Sequence, residues 1–181
     1  MLAQFNEFDR PIRAFRSRAG QGGEVNLFSY IRLEPTWPLM EFPLNYTAIF
    51  VTVVANFFLG FLWYTPLFGK VWAREMKFDT SVQPTGGQMA KGLIIMVIGN
   101  FLLAFVFAHN IGAWTFVPGM DGMPATGRIL NAAIFTWLGF FLPVDLTTVA
   151  WESRSWKLFF INSGYHLAML LVAATILTLW Q

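Results

Sequence analysis

The chain reads as an all-α integral membrane protein, a four-helix transmembrane bundle with short interfacial helices and an N-terminal extension. Three observations predict this. Apolar stretches at about residues 45–64, 91–109, 128–147 and 156–180 each approach the ~20 residues that a helix needs to cross the hydrocarbon core. Of the 181 residues, 56% are hydrophobic and only 12% charged, about half the charge usual in soluble domains. Each stretch also carries an internal asparagine, Asn56, Asn100, Asn131 or Asn162, as helices that must find one another within lipid often do. A backbone in lipid has to satisfy its own hydrogen bonds, so four such runs imply four spanning helices.

Residues 1–44 differ in character from the rest and form the extension; residues 45–181 form the transmembrane domain. Phe5, Phe8, Ile12 and Phe15 fall at helical spacing on one face, with Arg10 and Arg13 opposite, which suits a partner-binding or interfacial helix. The other reading is a tail disordered on its own. Pro11 has to sit in the first turn of any such helix. Gly20, Gly22 and Gly23 end it, and Pro35, Pro38 and Pro43 lead stiffly into the first span. No apolar signal-peptide core precedes that span, which is expected to serve as its own insertion signal.

Between the first two spans, Leu67, Phe68, Val71, Trp72 and Met76 share an apolar face, with Lys70, Arg74 and Lys77 on the other side. This predicts a second interfacial helix, followed by a polar turn from Asp79 to Gly87. The link from Asn110 to Gly127 is rich in Gly, Pro and Met and reads as an irregular cap. The link from Thr148 to Ser155 is short and makes the last two spans antiparallel neighbours. Glu152, Arg154, Lys157, Lys70 and Arg74 are expected to pair between the first and third links, and Trp63, Tyr64, Trp72, Trp151 and Trp156 to form an aromatic belt at that level.

Charge excludes some functions. A net charge of +2 gives no nucleic-acid footprint, and the basic residues lie beside spans, where anionic lipid headgroups are their partners. Without cysteine there are no disulfides and no thiolate chemistry. Near the spans, Lys70, Arg74, Lys77, Lys91, Arg154 and Lys157 lie on one side and only Arg32 and Arg128 on the other. The positive-inside rule then puts both termini outside the cytoplasm of a bacterial inner membrane.

Gly60-Phe-Leu-Trp-Tyr-Thr-Pro-Leu-Phe-Gly-Lys-Val-Trp72, Trp137-Leu-Gly-Phe140 and Trp151-Glu-Ser-Arg-Ser-Trp-Lys-Leu-Phe-Phe-Ile-Asn-Ser-Gly-Tyr165 carry a family pattern. They resemble the bacterial membrane family called domain of unknown function 1761, over about Met40 to Trp180. The resemblance implies a small four-helix membrane protein and no particular reaction. Residues before Met40 lie outside it, as an extension or an upstream reading of the start. Thr65 and His166 depart from the pattern, where glycine and tryptophan are expected.

Counting ~1.5 Å per residue from the expected cytoplasmic ends puts Asn56, Asn100 and His166 roughly 12–14 Å deep, and Asp145 and Asn162 roughly 4–9 Å deep. These five form the candidate buried polar layer. One reading is interhelical glue, in which Asn56, Asn100 and His166 bond one another; the other is a half-channel with Asp145 and His166 as a proton-handling pair. Pro143 removes an amide two residues before Asp145, so the third helix either kinks there as a gate or frays, with Asp145 reaching water. His109 is expected to end its span at the interface. No catalytic constellation, cofactor site or metal motif is read in the chain. The favoured function is that of a non-catalytic accessory or structural subunit acting through lipid and protein contacts, in a larger membrane complex or a homo-oligomer. The alternative is a small oligomeric permease or channel using the polar layer, and a lipid or quinone enzyme ranks third.

Overall fold

The computed structural model describes residues 44–78, 84–117, 119 and 122–180. The N-terminal face of Phe5, Phe8, Ile12 and Phe15 lies outside the described residues, as does the Asp79–Gln83 part of the first link. Every regular element is helical among the described residues: α1 (Tyr46–Leu62), α2 (Gly69–Glu75), α3 (Gly86–Trp114), α4 (Ala125–Thr136), α5 (Leu142–Trp151) and α6 (Trp156–Leu179). A π turn (Trp63–Leu67) extends α1, and another (Trp137–Phe141) joins α4 to α5. Four continuous helical stretches are long and apolar enough to span a membrane: Tyr46–Leu67, Gly86–Trp114, Ala125–Trp151 and Trp156–Leu179.

The spans start where their caps dictate. Asn45 accepts from the Ala48 amide, Ser155 accepts from the Leu158 amide, and Thr85 with Gln88 forms a reciprocal capping box. That box turns Gly86 and Gly87, expected as turn glycines, into the first residues of α3. At its other end α3 runs five residues beyond the predicted boundary, to Trp114. His109 therefore lies within the helix, Nδ1 2.9 Å from the Phe105 carbonyl oxygen, and the expected cap is shorter than residues 110–127. The interfacial helix of the first link is the seven-residue α2, with Leu67 and Phe68 in the approach to it.

The last helix is the spine. α6 packs against α1, α2, α3, α4 and α5, and α1 also packs on α3, whereas α3 and α4 do not pack closely on each other. This explains why α6 is apolar on all sides and α4 is not. α6 is accordingly far more buried than the third span. At the crossings sit small residues: Ala48, Ala104, Ala133, Ala173 and Ala174 are buried with Ile49, Phe107 and Leu170. Small side chains let helix backbones approach closely, the main source of attraction between helices whose surroundings are as apolar as themselves. At one end of the bundle Asn45 Nδ2 donates to the Trp180 carbonyl at 3.2 Å, tying the start of α1 to the end of α6.

Candidate functional site

Two prolines shape the site. Pro66 cannot donate to the preceding turn, so the helix widens there and the Phe68 amide reaches back five residues to the Trp63 carbonyl at 2.9 Å. Pro143, at the start of α5, has the same consequence, and the Leu142 amide bonds to the Trp137 carbonyl. The kink expected from Pro143 thus takes the form of a π turn. Each turn begins with a tryptophan whose indole N–H is aimed at the backbone of α6. Trp63 Nε1 donates to the Ile161 carbonyl at 3.0 Å, and Trp137 Nε1 donates to the Ser163 carbonyl at 3.0 Å and to Ser163 Oγ at 3.2 Å.

Around these bonds the packing is close. The Tyr64 hydroxyl donates to Asn162 Oδ1 at 3.1 Å, and the rings of Tyr64 and Tyr165 meet edge to face with centroids 5.0 Å apart. Gly60 leaves room for Tyr165: a Cβ there would lie 3.0 Å from the tyrosine hydroxyl oxygen. One turn along α6, His166 Nδ1 lies 2.9 Å from Asp145 Oδ2, with the Phe141 ring 4.9 Å from the imidazole, centroid to centroid. Asp145 is only 7% exposed. The expectation of a frayed helix end with Asp145 in water is therefore corrected: it sits inside α5, which continues to Trp151.

The candidate polar layer divides in two. Asp145, His166 and Asn162 come together where the π turns meet α6. Asn56 and Asn100 are buried in α1 and α3, and neither bonds His166: both carboxamide atoms of Asn56 and Nδ2 of Asn100 have no hydrogen-bond partner among the described residues. The three-way hydrogen bonding expected of Asn56, Asn100 and His166 is not formed. Asn131 stays local, donating to the Gly127 carbonyl at 3.0 Å. Trp63, Tyr64, Trp137, Ser163 and Tyr165 are the site residues that composition alone concealed. Trp63 and Tyr64 read as interfacial aromatics, yet of the expected belt only Trp151 and Trp156 are exposed, the former at 86%. Pro66, Gly60 and Gly164 were the signals available.

Cross-pairing of charges between the first and third links is also corrected. Among the described residues the ion pairs of these links are local, Arg74 with Glu75 at 3.6 Å and Arg154 with Glu152 at 3.4 Å. What crosses is Arg154 Nη1 to Met76 Sδ at 3.8 Å and a hydrogen bond between the side chains of Ser155 and Glu75. That bond, aided by Lys157 and Arg74, holds the Glu75 carboxyl below the ordinary value of 4.5. A lowered folded value gives a contribution that is complete above pH 4.5 and is lost as the pH falls through the folded value. Trp72 fluorescence in detergent should accordingly report α2 docked at neutral pH and loosening only in acid below that value. Glu75→Gln should remove this acid transition.

The segments meeting at this site, Gly60–Trp72, Trp137–Phe140 and Trp151–Tyr165, are those that carry the family pattern. The family model described as Protein of unknown function (DUF1761) matches residues 47–178. The chain belongs to this family. No curated protein and no solved structure matches it. In this DUF1761 chain the matched region covers the four spans, but for one residue at the start of the first and one at the end of the last, and every residue of the site. His166, one of two departures from the expected pattern, is the partner of Asp145.

Proposed function

We propose that this DUF1761 protein is a non-catalytic membrane bundle that acts as an accessory or structural subunit, through contacts with other membrane proteins or with its own copies. The observation that carries this reading is how its polar groups are used. Trp63, Tyr64, Trp137 and the Asp145–His166 pair all tie neighbouring helices to α6. The bundle is thereby held internally, while the third span keeps an apolar outer face with Phe135, Phe140 and Val144 exposed. A face of this kind serves lipid or a partner equally well. Extraction from native membranes in mild detergent tests the reading: the chain should run in a defined assembly well above its 20.6 kDa. A chain that runs only as a lipid-bound monomer sinks it.

The reading includes an orientation in a bacterial cytoplasmic membrane, both termini outside, supported by the excess of basic residues beside the first and third links. Reporters fused after Gln181 and within residues 79–87 should register on opposite sides, the former outside. A cytoplasmic C-terminus overturns it.

One observation favours the permease reading. Asp145 and His166 are an ionisable pair within spans, and such pairs often mark proton paths.

A further inference from the structure

We propose that the cleft between α3 and α4 is a binding site for an anionic phospholipid, whose phosphate meets Arg128 and whose acyl chain runs along α4. The cleft exists because these two helices do not pack closely together. It encloses 440 Å³, within the roughly 300–1,000 Å³ common for small-molecule sites. Its walls are apolar for most of their length: Ile111 and Trp114 from α3, and Ala132 and Phe135 from α4, with Phe140 beyond them.

Thr136 stands farther along α4, while Asn110, Thr115, Arg128 and Asn131 lie toward one end. Arg128 lines the cleft there, with Nε buried and without a hydrogen-bond partner, and it forms no ion pair among the described residues. A guanidinium is always charged, and a half-buried one beside an apolar cavity calls for an anion, phosphate or carboxylate above all. α4 begins at the same end without a side-chain cap, which adds partial positive charge from its first amides. Asn131 also lines the cleft. Its Nδ2 is engaged by Gly127, while its Oδ1 accepts no hydrogen bond among the described residues and can take one from a hydroxylated headgroup.

Length selects a lipid over a small soluble anion. From Arg128 to Phe140 is twelve residues of helix, about 18 Å. One leaflet of the hydrocarbon core is about 15 Å thick. The cleft therefore has a cationic mouth followed by an apolar trough about one acyl chain long. A free phosphate would use the mouth and leave the trough empty.

The test is native mass spectrometry of the full chain in mild detergent, with phosphatidylglycerol and phosphatidylcholine at equal concentration. The wild type should retain phosphatidylglycerol in preference. Arg128→Gln should lower that retention about tenfold, the scale of one lost charge-assisted contact. Ala132→Phe, which fills the trough and keeps the charge, should lower it as well, and helical circular dichroism should be unchanged in both variants. Equal retention of the two lipids by the wild type overturns the proposal, as does undiminished phosphatidylglycerol binding by Arg128→Gln. Glycerol phosphate displacing the lipid at comparable concentration would assign the site to a soluble anion instead, and equally overturn it.

Discussion

Replacing His166 by phenylalanine is expected to destabilise the bundle by about 3 kcal/mol, because it strands a buried acid. Asp145 is 7% exposed, and among the described residues its carboxylate has one side-chain partner, His166 Nδ1 at 2.9 Å. Ordinary hydrogen bonds between membrane helices average about 0.6 kcal/mol, so loss of a neutral contact would barely register. Removing one member of a buried ionisable pair has a larger effect, about 3–5 kcal/mol, since the survivor keeps its desolvation without compensation. The lower end applies here, as the His166 side chain remains 26% exposed. Adding Asp145→Leu to His166→Phe should restore much of the loss, because the second change removes the stranded group. Denaturant unfolding in micelles of the wild type, both single variants and the double variant gives the coupling directly. A neutral His166→Phe would mean that the pair does not hold α5 to α6.

Gly69→Ala should produce the second large effect. A Cβ at Gly69 would lie 2.6 Å from the Tyr64 carbonyl oxygen, a backbone atom inside the π turn. Neither atom is at the end of a flexible side chain, so α2 or the π turn has to move. Overpacking of this kind costs about 1–3 kcal/mol. The shift should also reach the aromatic cluster, where Trp63 and Phe68 have centroids 4.8 Å apart and Tyr64 and Trp72 5.5 Å. Near-ultraviolet circular dichroism should therefore weaken together with stability. Gly87→Ala is the control: its Cβ meets nothing within 4 Å, and alanine in a helix is favoured over glycine by roughly 0.5–1 kcal/mol. A Gly69→Ala protein as stable as Gly87→Ala would show that the close approach is not maintained.

The four spans were legible because bilayer thickness and apolar content together leave one solution for stretches of this length. Their ends were less so. α3 continues through Gly112 to Trp114, where a glycine-containing, uncharged sequence reads as a link but no competing cap stops the helix. The site was legible only in pieces. Asn162, Asp145 and His166 were all picked out as intramembrane polar residues, and they do lie in one region. The pairing of Asp145 with His166 was one of two readings, and the tyrosine and tryptophan partners from the other helices were missed, because depth was counted along regular helices. A π turn inserts a residue and rotates everything beyond it by about 100° relative to a regular α-helix. Asp145 lies downstream of the turn at Trp137–Phe141, so simple counting could not tell that it faces His166. Asn56 and Asn100 follow the opposite course. Their burial in the bundle matched the pattern of one amide per helix, but shared depth does not ensure that two side chains point at one another.

If the polar site only holds helices together, as proposed, the protein conducts no protons. Decay of an imposed pH gradient in proteoliposomes tests it most directly, comparing the wild type with Asp145→Asn and with empty vesicles. All three should decay at the same rate at every starting pH. Faster decay with the wild type, abolished by Asp145→Asn in protein that remains folded, would contradict it and make the Asp145–His166 pair part of a proton path.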